Sequence, residues 1–192
     1  MKVVLDLDDF SVVDTCDFEL EALNAYFTNF KVNMFTITQG VNRELLEEYK
    51  HYGCVYYPHG FKHNFLEMDG MRYETVRKNL LSVDKYVSEG LFGGVFKAPY
   101  WRYSDDCYRA LVESGFVIAV SREQVNPPPQ GVRTYEYDYE LHEVWPEQFE
   151  GVLRLHGHCT PYVNGISTCY GRLIEKLPKD TEFLSIDEFL GG

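Results

Sequence analysis

A regular alternation between short apolar runs and segments of helical spacing constrains this chain more than any other feature of its sequence. Short apolar runs between turn residues are typical of buried strands, and apolar residues at i, i+3, i+4 and i+7 indicate helices. Strands are predicted at residues 3–7, 32–38, 54–57, 95–97, 116–120 and 151–155, with less regular ones at 132–137 and 183–186.

Helices are predicted between these strands. Asn42 and Ser104 are suitable N-caps, and Gly53 and Gly115 are suitable stop residues after the helices that those caps begin. The other helical patterns lie at residues 18–30, from about Tyr73 to near Gly90, and near residues 170–177.

Strand and helix therefore alternate six to eight times, which favours an α/β fold with a parallel sheet and helices outside it. A chain of 192 residues fits a small or incomplete (β/α) barrel better than an eightfold one, which usually needs about 250 residues. An open doubly wound sheet is the alternative. With no repeat and no linker, residues 1–192 are predicted to form a single domain.

Composition excludes several classes of function. The net charge of −12 argues against general nucleic-acid binding, because an acidic surface repels phosphates. The five cysteines include no CxxC pair, so no disulfide framework is expected and a reducing compartment is favoured. No apolar run reaches the ~18 residues of a membrane span. The N-terminus lacks a secretory signal pattern, so a cytoplasmic location is expected.

Acidic, basic and imidazole side chains follow four of the predicted strands at the point where each strand ends. Because parallel strands open their carboxyl ends on one face, these side chains are expected to meet there. They are Asp8 and Asp9, His59 and His63, Lys97, and His156 with His158.

Asp8 and Asp9 form an adjacent acid pair after an apolar run. Neighbours on a regular strand point to opposite faces, so the chain must bend past Asp8 for both to reach one site. One acid can then bind a metal ion while the other takes a proton from water. The alternative is a pair of solvated acids that cap the next helix. Asp6 is interpreted as structural.

His59 and His63 stand at i and i+4, with Gly60 between them to let the backbone fold tightly. On a helical turn the two imidazoles share one face and can bind one divalent ion. Two histidines and one carboxylate suit zinc or another transition metal. The alternative is two exposed histidines in a polar loop.

His156 ends an alternating strand, where it can protonate a leaving amine or be a satisfied histidine at the edge of the core. In the first case Leu155 would line an apolar pocket beside it. Lys97 can pair with Asp8 and keep it ionised. Tyr100 and Trp101 form an aromatic wall that suits sugar rings, or else belong to the core.

Four motifs, in this order, resemble those of the polysaccharide deacetylase (NodB-homology) family, which is carbohydrate esterase family four. They lie between residues 3 and 158, and the segment 32–38 is similar to the family's second strand. The motifs are Leu7-Asp8-Asp9-Phe10, His59-Gly60-Phe61-Lys62-His63, Phe96-Lys97-Ala98-Pro99-Tyr100 and Leu153-Arg154-Leu155-His156.

The resemblance implies a distorted (β/α) barrel with about seven parallel strands. It implies removal of an acyl group, in particular N-acetyl, from a small saccharide or another N-acyl compound. Asp8 would be the base and His156 the acid. A divalent metal, zinc or else cobalt or nickel, would be held by Asp9, His59 and His63. The substrate and oxyanion residues would be Lys97, Pro99, Tyr100 with its backbone N–H, Trp101 and Leu155.

The chain also departs from the family pattern. Lys97 stands where arginine is usual, Phe10 replaces a glycine, and the fourth motif, an aspartate before tryptophan, is not found. One alternative is therefore a sugar-binding relative that has lost the chemistry. Another is a haloacid-dehalogenase-like phosphatase, in which Asp6 attacks phosphate with the help of Mg²⁺.

Overall fold

The fold is given by a computed structural model, which describes residues 1–122, 124–146 and 149–191. The strands found in these ranges are β1 (Lys2–Phe10), β2 (Val32–Thr36), β3 (Cys54–Pro58), β4 (Val95–Phe96), β5 (Val117–Val120), β6 (Thr134–Glu136), β7 (Tyr139–Glu140), β8 (Val152–His158) and β9 (Glu182–Phe183). The helices are α1 (Asp17–Tyr26), α2 (Arg43–Tyr49), α3 (Glu67–Gly70), α4 (Tyr73–Ser88), α5 (Asp105–Glu113), α6 (Ile166–Lys176) and α7 (Ile186–Leu190). Short 3₁₀ helices lie at Lys50–Tyr52 and Pro99–Trp101.

The strands of these ranges pair in parallel throughout. One sheet has the order β3-β2-β1-β8-β7, with β9 beside β1, and the other has the order β4-β5-β6. A parallel bridge between His59 and Lys97 joins the sheets on one side. On the other side only residues 137–138 separate β6 from β7. The predicted α/β fold is confirmed, and the two sheets together form a distorted barrel.

Strand β1 shows how the barrel brings charge to one end. Its odd-numbered apolar residues from 3 to 7 belong to the large core between the sheet and the helices. Val4 faces the other way, into a smaller cluster with Phe35 and Tyr57 inside the barrel. Since side chains alternate along a strand, Asp6 and Asp8 share the inner side with Val4. The interior therefore changes from apolar to charged towards the carboxyl end of β1.

The helix caps agree with the sequence prediction. The side chain of Asn42 accepts a hydrogen bond from the backbone N–H of Leu45 at the start of α2. Ser104 does the same for Cys107 at the start of α5. Helix α6 begins at Ile166, earlier than predicted, and the short helix α3 was not predicted at all.

The prediction of a last strand at residues 183–186 is wrong at its end. Strand β9 stops at Phe183, and α7 begins at Ile186. Ser185 and Glu188 form a capping box that satisfies the first N–H groups of this helix. Ile186 packs into the smaller cluster inside the barrel, so α7 closes the end of the barrel at which the parallel strands begin.

The longest helix in the described ranges is α4, with 16 residues. A bilayer requires about 20 consecutive apolar residues. Within those ranges, no helix combines the length and hydropathy that a membrane crossing needs.

Candidate active site

The polar side chains that follow the strands meet at the carboxyl end of the barrel, as the sequence analysis predicted. Five of these seven side chains border a cavity of about 190 Å³. Its walls are formed by Asp8, Asp9, His59, His63, Tyr100, Trp101, His158 and Tyr162. A larger cavity of about 390 Å³ at the other end of β3, near Gly53 and Leu91, has no comparable group of titratable side chains.

The bend predicted past Asp8 is present. The pairing of β1 with β2 shifts register between Leu7 and Phe10, and Asp9 adopts a φ of 70°. A bulge of this kind re-aims a side chain, and here it turns both carboxylates to the same cavity. Asp8 and Asp9 are both buried, with 4% and 6% of their surface exposed.

His59 and His63 converge as predicted, but by way of a loop and not a helical turn. Gly60 and His63 both have a φ of 61°. The buried carboxylate of Glu67 accepts hydrogen bonds from the backbone N–H groups of Phe61, Lys62 and His63, at 2.7 to 3.1 Å. Glu67 therefore fixes the loop in this shape. The sequence analysis missed it, although an acid four residues after His63 is a readable signal.

Asp9, His59 and His63 place three potential ligand atoms within 4.8 Å of one another. Oδ1 of Asp9 lies 2.8 Å from Nε2 of His63 and 3.5 Å from Nε2 of His59. Burial raises the pKa of Asp9, but the two imidazoles outweigh it and hold that pKa well below its usual range. Oδ1 of Asp9 is nevertheless buried without an aligned hydrogen-bond donor among the described residues.

Lys97 is fully buried and connects two acids of β1. Its Nζ donates to Oδ1 of Asp6 at 2.8 Å and to Oδ1 of Asp8 at 2.7 Å, so the predicted pairing with Asp8 is present. Burial opposes ionisation of all three groups, but their mutual attraction is larger. It lowers the pKa of both aspartates and raises that of Lys97.

His156 is also buried, and its Nδ1 lies 2.7 Å from Oδ1 of Asp6. The other oxygen of Asp6 accepts a hydrogen bond from the hydroxyl of Tyr135. Burial and Lys97 lower the pKa of His156, whereas Asp8 and Asp6 raise it, and the net result is a raised pKa. Nε2 of His156 has no hydrogen-bond partner among the described residues.

The aromatic wall is partly as predicted. Tyr100 is about half exposed, and its ring lies 5.1 Å from that of His63. The Trp101 ring contacts both Lys97, at 4.7 Å, and His156, at 5.5 Å. Trp101 therefore borders the cavity, and it is also packed, partly buried, against the smaller cluster inside the barrel. Pro99 is buried behind the wall.

The prediction that Leu155 lines a pocket beside His156 is wrong. Leu155 is fully buried in the large core between the sheet and the helices. Side chains alternate along β8, so Leu155 points away from the face that carries His156. The neighbouring inward residue is His158, which lines the cavity next to Tyr162.

Other sequence interpretations agree with the structure. Cys107 and Cys169 are buried in the core, and all five cysteines are free thiols. His51 and His142 are exposed. Asp6 was interpreted as structural, but it contacts the site through His156 and Lys97. Its position two residues before Asp8, on the same face of β1, is the signal that could have shown this.

The fold is similar to that of several solved carbohydrate esterases. A family 4 carbohydrate esterase from Streptomyces lividans in complex with acetate is 14% identical, with a TM-score of 0.65 over 95% of this chain and 92% of that one. A family 4 acetyl xylan esterase from Clostridium thermocellum in complex with a cobalt ion is 16% identical, with a TM-score of 0.61 over 99% and 90% of the two chains.

A family 4 pseudoenzyme from Bacillus anthracis is 11% identical, with a TM-score of 0.61 over 98% of this chain and 65% of that one. No protein-family model and no curated protein sequence matches the chain. At these identities the similarity shows the fold alone. It agrees with the family resemblance drawn from the four motifs, and the similar structures include both a carbohydrate esterase and a pseudoenzyme of that family.

Proposed function

We propose that this protein is a metal-dependent hydrolase that removes an acyl group, in particular N-acetyl, from a carbohydrate or a related amide. One observation carries the proposal. Three potential ligands, Asp9, His59 and His63, line the same cavity as a base candidate, Asp8, and Oδ2 of Asp8 lies 3.8 Å from Nε2 of an acid candidate, His156. Hydrolysis of an amide needs this division of labour, because water must lose a proton and the leaving amine must gain one.

The residues present fit a divalent metal. Nδ1 of His59 lies 3.2 Å from the carbonyl oxygen of Lys97, to which it donates, so Nε2 keeps a lone pair for a metal. Oδ1 of Asp9 is a buried acceptor without an aligned donor among the residues that the structure describes. Asp9, His59 and His63 would hold the ion, and this ligand set suits zinc, cobalt or nickel. When bound, the ion supplies Lewis acidity and makes a nearby water more acidic.

Asp8 is proposed as the general base. Its Oδ1 is held by Lys97, and its Oδ2 lies 3.7 Å from Nε2 of His59 and 3.8 Å from Nε2 of His156. The ammonium group keeps the carboxylate ionised and fixes its orientation. Oδ2 is thereby free to take a proton from the attacking water.

His156 is proposed as the general acid. The carboxylate of Asp6 can only accept, so Nδ1 of His156 carries a hydrogen towards it. This contact fixes the ring, while the buried Nε2 lies 3.8 Å from Oδ2 of Asp8 and has no hydrogen-bond partner in the described part of the chain. A proton on Nε2 can pass to the leaving amine as the C–N bond breaks.

The cavity itself supports a small acyl group and a ring-shaped substrate. About 190 Å³ accommodates an acetyl group with part of a sugar ring. Tyr100 and Tyr162 stand at its mouth with half-exposed rings, a surface that suits the apolar face of a sugar. The backbone N–H of Tyr100 would donate to the developing oxyanion. Five unpaired cysteines support a reducing, cytoplasmic setting and therefore a soluble substrate.

The phosphatase alternative does not fit the geometry. Asp6 is fully buried, and both of its oxygens accept hydrogen bonds, from Lys97, His156 and Tyr135. A nucleophile must reach its substrate, and Asp6 has no path to a phosphate group. The second alternative, a binding relative without chemistry, is supported by the fold shared with the Bacillus anthracis pseudoenzyme.

The test is release of acetate from a panel of N-acetylated and O-acetylated saccharides, with zinc or cobalt supplied. Asp8→Asn keeps the size of the side chain and removes the base, so turnover should fall by about 10²–10⁴-fold. Asp180→Asn, an exposed acid remote from the cavity, is the control. Near wild-type turnover in Asp8→Asn contradicts the base assignment. Saccharide binding without acetate release favours the binding relative.

A further inference from the structure

We infer that Asp8, His156 and His158 form a second, weaker site for a divalent transition-metal ion, and that occupation of this site inhibits the enzyme. The binding part stands on geometry alone. The inhibition part rests on the proposed function, because it uses the roles assigned to Asp8 and His156.

The three side chains offer ligand atoms that all lie within 4.8 Å of one another. Oδ2 of Asp8 is 3.8 Å from Nε2 of His156. His156 is 1% exposed, and its Nε2 has no hydrogen-bond partner in the described ranges; the same holds for Nδ1 of His158. A buried polar atom without a partner costs free energy, and two of them beside a carboxylate match the N and O ligands of a transition metal.

The surroundings of His156 are those of a metal-bound imidazole. Such a ring usually donates its other N–H to a carboxylate that is itself hydrogen-bonded. Here Nδ1 of His156 contacts Asp6, and the hydroxyl of Tyr135 donates to the same carboxylate at 2.7 Å. His59 in the first site has an equivalent contact with the carbonyl of Lys97.

Charge makes the second site the weaker one. With the imidazoles unprotonated, as metal binding requires, the three carboxylates of Asp6, Asp8 and Asp9 stand against one ammonium group, that of Lys97, which gives a local charge of −2. A first divalent ion at Asp9 neutralises this charge, so a second ion enters without net attraction. Nζ of Lys97 also lies 2.7 Å from Asp8 and 3.4 Å from Nδ1 of His156, and it repels a cation there.

An ion in the second site would block the groups that transfer protons in the reaction. It would bind Oδ2 of Asp8, which is proposed to accept a proton, and Nε2 of His156, which is proposed to donate one. Imidazole must be unprotonated to bind a metal, so the proton on Nε2 leaves when the ion enters. Excess transition metal should therefore inhibit, although the first ion is required.

The binding test is equilibrium dialysis against increasing free zinc, with the bound metal measured by elemental analysis. We expect one ion to bind tightly and a second to follow at higher concentration. His158→Ala should weaken only the second ion, by about tenfold or more. His142→Ala, an exposed histidine, is the matched control and should bind both ions. A wild-type protein that never binds a second ion, or a His158→Ala variant that binds it unchanged, overturns the site.

The functional test follows activity as zinc is raised, with each variant compared with its own activity at one ion per chain. Wild type and His142→Ala should lose activity as the second ion binds, whereas His158→Ala should lose it only at about tenfold more zinc or beyond. Full wild-type activity with the second ion bound overturns the inhibition. The dialysis result does not depend on catalysis, so failure of the proposed function and failure of the second site are distinguishable.

Discussion

Oδ1 of Asp6 lies 2.7 Å from Nδ1 of His156 and 2.8 Å from Nζ of Lys97, inside the barrel, where all three side chains are buried. A single buried carboxylate thus holds both the proposed acid and the lysine that pairs with the proposed base. Asp6 has 0% of its surface exposed and is not among the residues that line the cavity, so it is a positioning residue. Its position links two proton-transfer groups that arise from distant strands.

Asp6→Asn should reduce turnover by about 10²–10⁴-fold, because an amide no longer dictates which nitrogen of His156 carries the proton. Tyr135→Phe removes only one hydrogen bond to Asp6 and should reduce turnover far less.

The raised pKa of His156 means that the acid stays protonated at pH values above its ordinary pKa of 6.5, so activity should fall as pH rises through the raised pKa.

In Asp6→Asn that fall should move to lower pH, because loss of a negative charge beside His156 lowers its pKa. A pH–rate profile of wild type and variant measures the shift. An unchanged profile, with turnover reduced by unfolding alone, would contradict the positioning role.

Lys97→Met should destabilise the protein by about 3–5 kcal/mol, because Asp6 and Asp8 would be left as buried charges without their cation. Methionine keeps much of the length of the side chain, so lost packing is a small part of the effect. Lys2→Met is the control, since Lys2 and Glu182 form an ion pair that is more than half exposed, and such pairs contribute at most about 1 kcal/mol. Urea unfolding of wild type, Lys97→Met and Lys2→Met measures the free energies of unfolding. Equal losses of stability in the two variants would contradict the role of Lys97.

Glu67→Gln should weaken binding of the first metal ion by about 10–100-fold, although Glu67 contacts no ligand atom directly. Its two carboxylate oxygens accept three backbone N–H groups that shape the loop from His59 to His63, and an amide offers only one acceptor oxygen. Glu74→Gln, an exposed glutamate in α4, is the control. Competition for zinc with a chelator of known affinity measures the zinc affinity of wild type and of both variants. A Glu67→Gln protein that binds zinc as tightly as Glu74→Gln would refute this role for Glu67.

Gly60→Ala should damage the same loop, whereas Gly171→Ala should not. A Cβ at Gly60 would stand 2.6 Å from Cγ of Pro99 and 2.7 Å from Oε2 of Glu67, at a φ of 61°. Gly171 lies in α6 with open space around it, so alanine there should add up to about 1 kcal/mol of stability. Thermal unfolding and zinc affinity measure both effects. A Gly60→Ala protein with normal stability and normal zinc affinity would show that the loop has another shape.

Local sequence patterns were enough to predict most strands, the bend past Asp8 and the meeting of Asp9, His59 and His63. Each of those features depends on neighbours in sequence or on the rule that parallel strands open at one end. The contacts of Asp6 could not be predicted in this way. Its partners His156, Tyr135 and Lys97 are 150, 129 and 91 positions away in the sequence.

Two errors have a clear physical origin. The loop at His59 was predicted as a helical turn because i and i+4 spacing fits one, but Glu67 stabilises a left-handed φ at His63 that spacing alone does not reveal. Leu155 was assigned to a pocket because it precedes His156, although strand alternation sends it to the opposite face.

Metal content tests the central claim most directly. Protein purified without a metal-binding affinity tag is compared with His59→Ala and with His51→Ala, an exposed histidine that serves as the control. The account predicts about one zinc, cobalt or nickel ion per chain in wild type and His51→Ala, and its loss in His59→Ala. Absence of any transition metal from the wild-type protein, even after soaking with zinc, would contradict the account.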